Sequence, residues 1–507
     1  METPRNLPER LQQSVARDPS ALALAHGRDR VTYLELWGQV MAVAGFLRQA
    51  GIELQARVAL LLENSVSYVA AYYGVQAAGA AVVALNTAAK SVDLINWLGH
   101  SGASWLILDA KHPEAAAVQE WCQGRVNVIV VNGAADGTHS WAQVLAAPAL
   151  AAPKKVAPQA LAAIIYTSGT TGHPKGVMLS HANLSANTSS ILDYLGLMPE
   201  DKVLNILPFY YSYGNSVLHT HLSAGGCVLI ENNLAYPHRV MQCMSAERAT
   251  GFSGVPSTFA LLLSRVKLED YDLSALRYLT QAGGPMPPAN TERLRRALPR
   301  TQLFVMYGQT EATARLSYLP PARLTEKMGS IGVAIPGVTL EVRNNLGQLV
   351  ATGEPGEIWA RGDNIMLGYW NDPEATRAAL DNEGWLHTGD VARRDADGFL
   401  FIEGRKSDMI KTGAHRIHPK EIEEVIAELD GVAEVAVVGV ADDILGQVIK
   451  AFILPKLDCE LSTMQVKAHC HARLAAYKIP KIVEVVTEMP KTASGKIKKY
   501  MLMQIST

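Results

Sequence analysis

The stretch Tyr166-Thr167-Ser168-Gly169-Thr170-Thr171-Gly172-His173-Pro174-Lys175-Gly176 gathers hydroxyls, glycines and a lysine directly after the apolar run Leu161 to Ile165. Glycine frees a backbone to turn its N–H groups toward an anion, and the hydroxyls of Thr167, Ser168, Thr170 and Thr171 add donors. Lys175 supplies a mobile positive charge suited to a polyphosphate. The spacing is not G-x-x-x-x-G-K-[ST], so this is not a P-loop. The plainer alternative is a flexible surface loop, but so dense a set of phosphate-binding residue types after a buried strand argues against it.

A second group with chemical potential follows an apolar run ending in Met306-Tyr307: Thr310 and Glu311. A carboxylate is a hard oxygen ligand suited to Mg²⁺ between phosphates. His219 and His221 would share a face if they lay on a strand, yet no third ligand is near them in sequence, so no metal is assigned there. Cys122, Cys227, Cys243, Cys459 and Cys470 form no C-x-x-C pair. The expectation is reduced thiols, no structural zinc and a cytoplasmic location.

These side chains need a scaffold. From about residue 30 to residue 400, strand-like runs such as 57–62, 105–108 and 126–131 alternate with Ala-rich helical stretches, which indicates an α/β domain with largely parallel sheets. Residues 134–155 read as a surface connection. The uncharged stretch from Tyr68 to Leu85 is interrupted by Gly74 and Gly79 and reads as a buried helix, a tight turn and a buried strand, so no membrane span is expected. Charged residues interrupt the N-terminal segment, and no signal peptide is expected. Near Gly404 a second regime begins: Pro419 opens a helix whose Ile422, Val425, Ile426 and Leu429 share a face, and strands follow at 435–440 and 449–454. The expected organisation is a large α/β domain (1–403) and a small α+β domain (404–507) joined by a hinge. The 507 residues carry 46 basic and 48 acidic side chains, so nothing draws the chain as a whole to nucleic acid.

With these residues in view, Tyr166 to Gly176 resembles the signature of the adenylate-forming ligases, which include acyl-CoA synthetases, aryl-acid ligases, luciferases and peptide-synthetase adenylation domains. Four further segments arrive in that family's order, so the resemblance covers nearly the whole chain. In Met306-Tyr307-Gly308-Gln309-Thr310-Glu311-Ala312 it implies that Thr310 contacts the α-phosphate of ATP and Glu311 helps hold Mg²⁺, with Tyr307 in the nucleotide site. It gives Asp390, in Gly384 to Asp390, and Arg405, in Gly404 to Asp408, to the ribose. The turn Ala282-Gly283-Gly284-Pro285 resembles the stretch lining the adenine and acyl pocket. Lys496, within Pro490 to Lys496, matches the catalytic lysine of adenylation, and a positioned ammonium suits a step in which two anions meet. By the same resemblance, the small domain turns after adenylation to admit a thiol.

The sequence departs from the pattern twice. Ser407 stands at the hinge position, usually Asp or Lys, and Ala414 replaces a glycine beside the pantetheine tunnel. In the acyl region, Leu207 to Gly214, no aspartate is present to pair a substrate ammonium, and burying one unpaired is expensive. An acid without an α-amine is expected, with Tyr211, Ser212 and Tyr213 at a polar-rimmed pocket. The expected enzyme converts a small-molecule carboxylic acid to its acyl-AMP and transfers the acyl group to coenzyme A. An acyl carrier protein bearing phosphopantetheine is the rival acceptor, and a non-catalytic nucleotide-binding module is the rival class. Either a monomer or a homodimer is expected.

Overall fold

The computed structural model describes residues 5–167, 175–412, 415–442, 445–457, 459–491 and 497–504. Among these, two large sheets share a layer of helices. Alternation along the strands shows why, since neighbouring side chains leave a strand on opposite faces. On Lys202–Asn205, Val203 joins the central core while Leu204 joins a second core on the far face. On Trp105–Asp109, Ile107 faces the same central core while Leu106 and Leu108 face a third. Both sheets therefore present one face to the helices Tyr33–Gln49, Val66–Ala77, His181–Leu195 and Ser212–Ala224.

The first sheet has nine described strands. Its parallel centre runs Gln302–Tyr307, Tyr278–Gln281, Gly251–Gly254, Lys202–Asn205, Cys227–Ile230 and Leu22–His26. The second has eight, parallel except where Lys175–Ser180 returns against Leu161–Thr167 and where Gly368–Tyr369 adds an edge. A four-stranded antiparallel sheet, Val338–Arg343, Gly356–Gly362, Leu386–Arg394 and Leu400–Arg405, completes the large body.

The stretch from Tyr68 to Leu85 folds as its pattern predicts. Ser65 caps the helix Val66–Ala77, Gly79 takes φ +83° in the turn, and Ala81–Ala84 is a fully buried strand. No described helix is long and apolar enough to cross a membrane. Two expectations change. His219 and His221 lie on the helix Ser212–Ala224, not on a strand, because the segment is buried on nearly all sides and shows no amphipathic period. The connection 134–155 contains a short helix, Trp141–Ala146, held by a capping box between Ser140 and Gln143.

The C-terminal residues pack cores of their own. Pro419 begins the helix Pro419–Ala427, and Ile422 and Ile426 are buried against Val437, Ile449, Ala451 and Ile453 of the hairpin Val432–Asp442 and Gly446–Pro455. The strand Leu400–Arg405, which includes Gly404 and Arg405, pairs with Leu386–Arg394.

Candidate active site

The site forms where strand ends of the large body meet. Thr167 closes the strand Leu161–Thr167 and lies opposite Lys175, which opens the returning strand. Ser168, Gly169, Thr170, Thr171 and Gly172 lie between them, outside the described residues. Gly176 is needed at close quarters: a Cβ there would lie 3.0 Å from Ile164 and 3.3 Å from Trp370. The backbone N–H of Trp370 donates to the Gly176 carbonyl at 2.7 Å, docking the edge strand Gly368–Tyr369 on this hairpin. The ammonium of Lys175 consequently sits over the Tyr369 ring, 4.9 Å from its centre.

Tyr369 links this hairpin to the next strand end. Its hydroxyl donates to Glu311 Oε1 at 2.9 Å. Burial first, and then the Glu311 charge, push the phenol's pKa upward, so it stays a donor. Glu311 sits in the single turn Thr310–Ala312 that follows the strand Gln302–Tyr307. That turn doubles back tightly, since a side chain at Gly308 would collide with the Ala314 carbonyl. Thr313 adopts φ +65°, strained for a β-branched residue, and its hydroxyl donates to the Asn364 carbonyl at 2.7 Å. Thr310 Oγ1 lies 3.2 Å from Ser212 Oγ, joining this turn to the helix Ser212–Ala224.

Asp390 lies on Leu386–Arg394 directly opposite Arg405. Its Oδ1 is 3.1 Å from Arg405 Nε, and its Oδ2 accepts from the Tyr307 hydroxyl at 2.6 Å. Asp390 is buried, 5% exposed. Asp390 holds the Arg405 guanidinium above its ordinary pKa, while burial, followed by Asp390, drives up the Tyr307 phenol. A carboxylate has about four acceptor positions, so this one can still take ligand hydroxyls.

Gly283 follows the strand Tyr278–Gln281 with φ +90°, and Gln281 Nε2 donates to the Gly284 carbonyl at 2.8 Å. The sequence-predicted trio at residues 211–213 does not share one direction. Tyr211 tilts against Tyr210 with ring centres 4.6 Å apart, Ser212 reaches Thr310, and Tyr213 turns inward to the Thr280 hydroxyl at 2.8 Å. Lys496 and Ala414 lie outside the described residues. Sequence reasoning missed Tyr369 and Arg315. For Tyr369 the signal was a hydroxyl-bearing aromatic beside a glycine; for Arg315 it was one charge within an apolar run.

Comparison with known proteins agrees with this geometry. The sequence profile described as AMP-binding enzyme matches residues 11–370, and that of the AMP-binding enzyme C-terminal domain matches residues 421–496. The chain belongs to this adenylate-forming family and is an enzyme of the acyl-CoA synthetase type. It is 36% identical over 484 residues to a feruloyl-CoA synthase of an Amycolatopsis species, covering 95% of each chain. It is 32% identical over 504 residues to an indoleacetate–CoA ligase of Aromatoleum aromaticum, covering 98% of each. Among solved structures, ATP-bound MatB from Rhodopseudomonas palustris superposes with a TM-score of 0.88 at 30% identity, covering 99% of this chain and 98% of that one. The anthranilate CoA ligase AuaEII with anthranoyl-AMP gives 0.90 at 26% identity, covering 100% and 98%.

Proposed function

We propose that the enzyme uses ATP to activate a carboxylic acid without an α-amine, and passes the acyl group to the thiol of coenzyme A. One observation supports the site assignment: separate strand ends link Lys175 through Tyr369 to Glu311, and hold Tyr307, Asp390 and Arg405 together in a second cluster. Crevices beyond the carboxyl ends of parallel strands are where open α/β sheets bind ligands. The relatives' names, ligases for ferulate and indoleacetate, support coenzyme A as acceptor and an aryl or otherwise functionalised acid.

Asp390 accepts the ribose hydroxyls, held in place by Tyr307 and Arg405. The Gly283–Gly284 turn lets the chain pass close to the adenine. Thr167, Lys175 and the hydroxyls and amides of residues 168–172 hold the polyphosphate, and Thr310 donates to an α-phosphate oxygen. Glu311 and Thr310 supply one carboxylate and one hydroxyl, and no described cluster of three or more His, Cys, Asp or Glu side chains could hold a metal alone. That donor set fits Mg²⁺, which is held by one or two carboxylates together with substrate phosphates and water. When bound, Mg²⁺ neutralises polyphosphate charge.

In the first half-reaction a carboxylate oxygen attacks the α-phosphorus. The bond to the bridging oxygen breaks, and pyrophosphate leaves with its electron pair. Lys496, carried by the small domain, offsets the negative charge gathered there. The small domain then turns about the segment near Ser407. In the second half-reaction the thiolate attacks the acyl carbon, the C–O bond to AMP breaks, and AMP leaves.

Pyrophosphate release from a panel of acids, with and without coenzyme A, tests this reading. Acid-dependent pyrophosphate together with coenzyme A-dependent thioester supports it. Thioester formed only on a phosphopantetheinylated carrier protein would replace the acceptor, and acid-independent turnover would remove the activity.

A further inference from the structure

Arg315 is 3% exposed, yet no described carboxylate pairs with it. Its Nη1 donates to the carbonyl of its own neighbour Ala314 at 3.2 Å, and its Nε meets no acceptor. The guanidinium lies over the Tyr213 ring, 4.1 Å from the centre. It is also close enough to Tyr194 to pull back part of the rise that burial imposes on that phenol. A cation–π contact returns less than a buried unpaired guanidinium costs. By contrast, buried Asp201 pairs with Arg277 Nη2 at 2.5 Å.

The position of Arg315 is enforced. Its carbonyl accepts from Asn187 Nδ2 at 3.1 Å and from Asn364 Nδ2 at 2.8 Å, so the backbone cannot turn the side chain away. Arg315 borders a cavity of about 10 Å³ that is also lined by Ser216, Thr220, Ser253 and Thr280. Ser216 and Thr220 donate to the Tyr213 and Ser216 carbonyls at 2.7 and 2.8 Å, and Ser253 and Thr280 bond each other at 2.8 Å, so an arriving anion would draw on Arg315 first. The start of the helix Ser212–Ala224 spans both ends of the acyl region: Ser212 touches Thr310 at the phosphate end, and Tyr213 covers Arg315.

We propose that Arg315 seats a second carboxylate, carried by the acid that the enzyme activates. The acid's reacting carboxylate lies toward Thr310 and the α-phosphate, and the second points past Tyr213 toward Arg315. A cavity of about 10 Å³ holds about one water, so the Tyr213 ring must turn aside to admit the carboxylate. The inference rests on the acid-activation reading of the same site, and deepens it from a functionalised acid to a dicarboxylic one.

The test measures acid-dependent pyrophosphate release for matched pairs: succinate with butyrate, glutarate with pentanoate, and isophthalate with benzoate. At least one diacid is expected to exceed its partner in kcat/KM by about 100-fold, because an unpaired buried charge discriminates strongly against a ligand that cannot pair with it. In Arg315→Gln that ratio should collapse toward one, with partial recovery in Arg315→Lys. Monoacids equal to or better than every diacid in the wild-type enzyme overturn the proposal while leaving acid activation intact, even if the variants fail to fold. An equal loss for both members of each pair in Arg315→Gln, with KM for ATP raised, assigns Arg315 to the nucleotide phosphates and also overturns it. Pyrophosphate release with no acid of any kind sinks the activation reading and this inference together.

Discussion

Asp390 and Arg405 face each other across adjacent antiparallel strands, with Arg405 Nε 3.1 Å from Asp390 Oδ1, while Tyr307 from a different sheet closes on Oδ2 at 2.6 Å. The carboxylate is thereby fixed before any ligand arrives. An amide at this position keeps the shape but cannot accept at both atoms and leaves Arg405 without its counter-charge. Asp390→Asn should raise KM for ATP by about 10- to 100-fold, the range of one or two charge-assisted hydrogen bonds. An unchanged KM for ATP in steady-state kinetics would remove Asp390 from the nucleotide site.

On the proposed assignment of Glu311 to Mg²⁺, Tyr369 acts through that carboxylate as a positioning residue. Tyr369→Phe removes the 2.9 Å hydrogen bond and little else, so the Glu311 carboxylate loses its fixed orientation. Outer partners of metal-holding carboxylates are worth about 10-fold or more in metal affinity. Half-saturating Mg²⁺ should rise by about that factor, with turnover largely restored at high Mg²⁺. A loss of turnover that no Mg²⁺ concentration repairs would show a different role for the tyrosine.

On the proposed assignment, in which the Lys496 ammonium offsets charge developing in the first transition state, Lys496→Ala should lower adenylation by about 100- to 1000-fold. Thioester formation from supplied acyl-adenylate should be largely retained. Equal losses in both half-reactions would contradict a role confined to adenylation.

Buried histidines set an acid limit on stability. Burial lowers the pKa of His219 to about 3 and of His221 to about 4. His219 is held between Tyr73 and Asn215 at 2.9 and 2.7 Å, and His221 meets the Tyr278 hydroxyl at 2.5 Å. In the unfolded chain these rings take up protons as pH falls below about 6.5, whereas in the folded chain they remain neutral to about pH 4. Between those values the unfolded state binds more protons, so stability falls with falling pH by up to ~1.4 kcal/mol per pH unit for each histidine. Above pH 6.5 these groups contribute no slope. Urea unfolding of the protein at pH 7.5 and 5.0 should show this loss, and His219→Gln should remove about one histidine's share. An identical slope in the variant would refute the assignment.

Local chemistry was legible from the sequence wherever it depended on neighbours along the chain. Apolar runs predicted the strands Leu161–Thr167 and Trp105–Asp109, Gly79 marked a turn, and Pro419 marked a helix start, because each reports its own backbone preference. The glycine- and hydroxyl-rich loop, with the later motifs in order, was enough to indicate adenylate chemistry. Other features could only come from the packed chain. The pattern of His219 and His221 misled because a helix buried on all sides carries no polar face to betray its period. Tyr307 and Asp390 stand 83 residues apart, and two different sheets bring their oxygens to 2.6 Å. Arg315 makes the division plain: in sequence it is one cation in an apolar run, indistinguishable from a solvated charge. Only the packed chain buries the guanidinium, because its burial and the absence of a counter-charge among the described residues belong to the three-dimensional neighbourhood and not to the sequence.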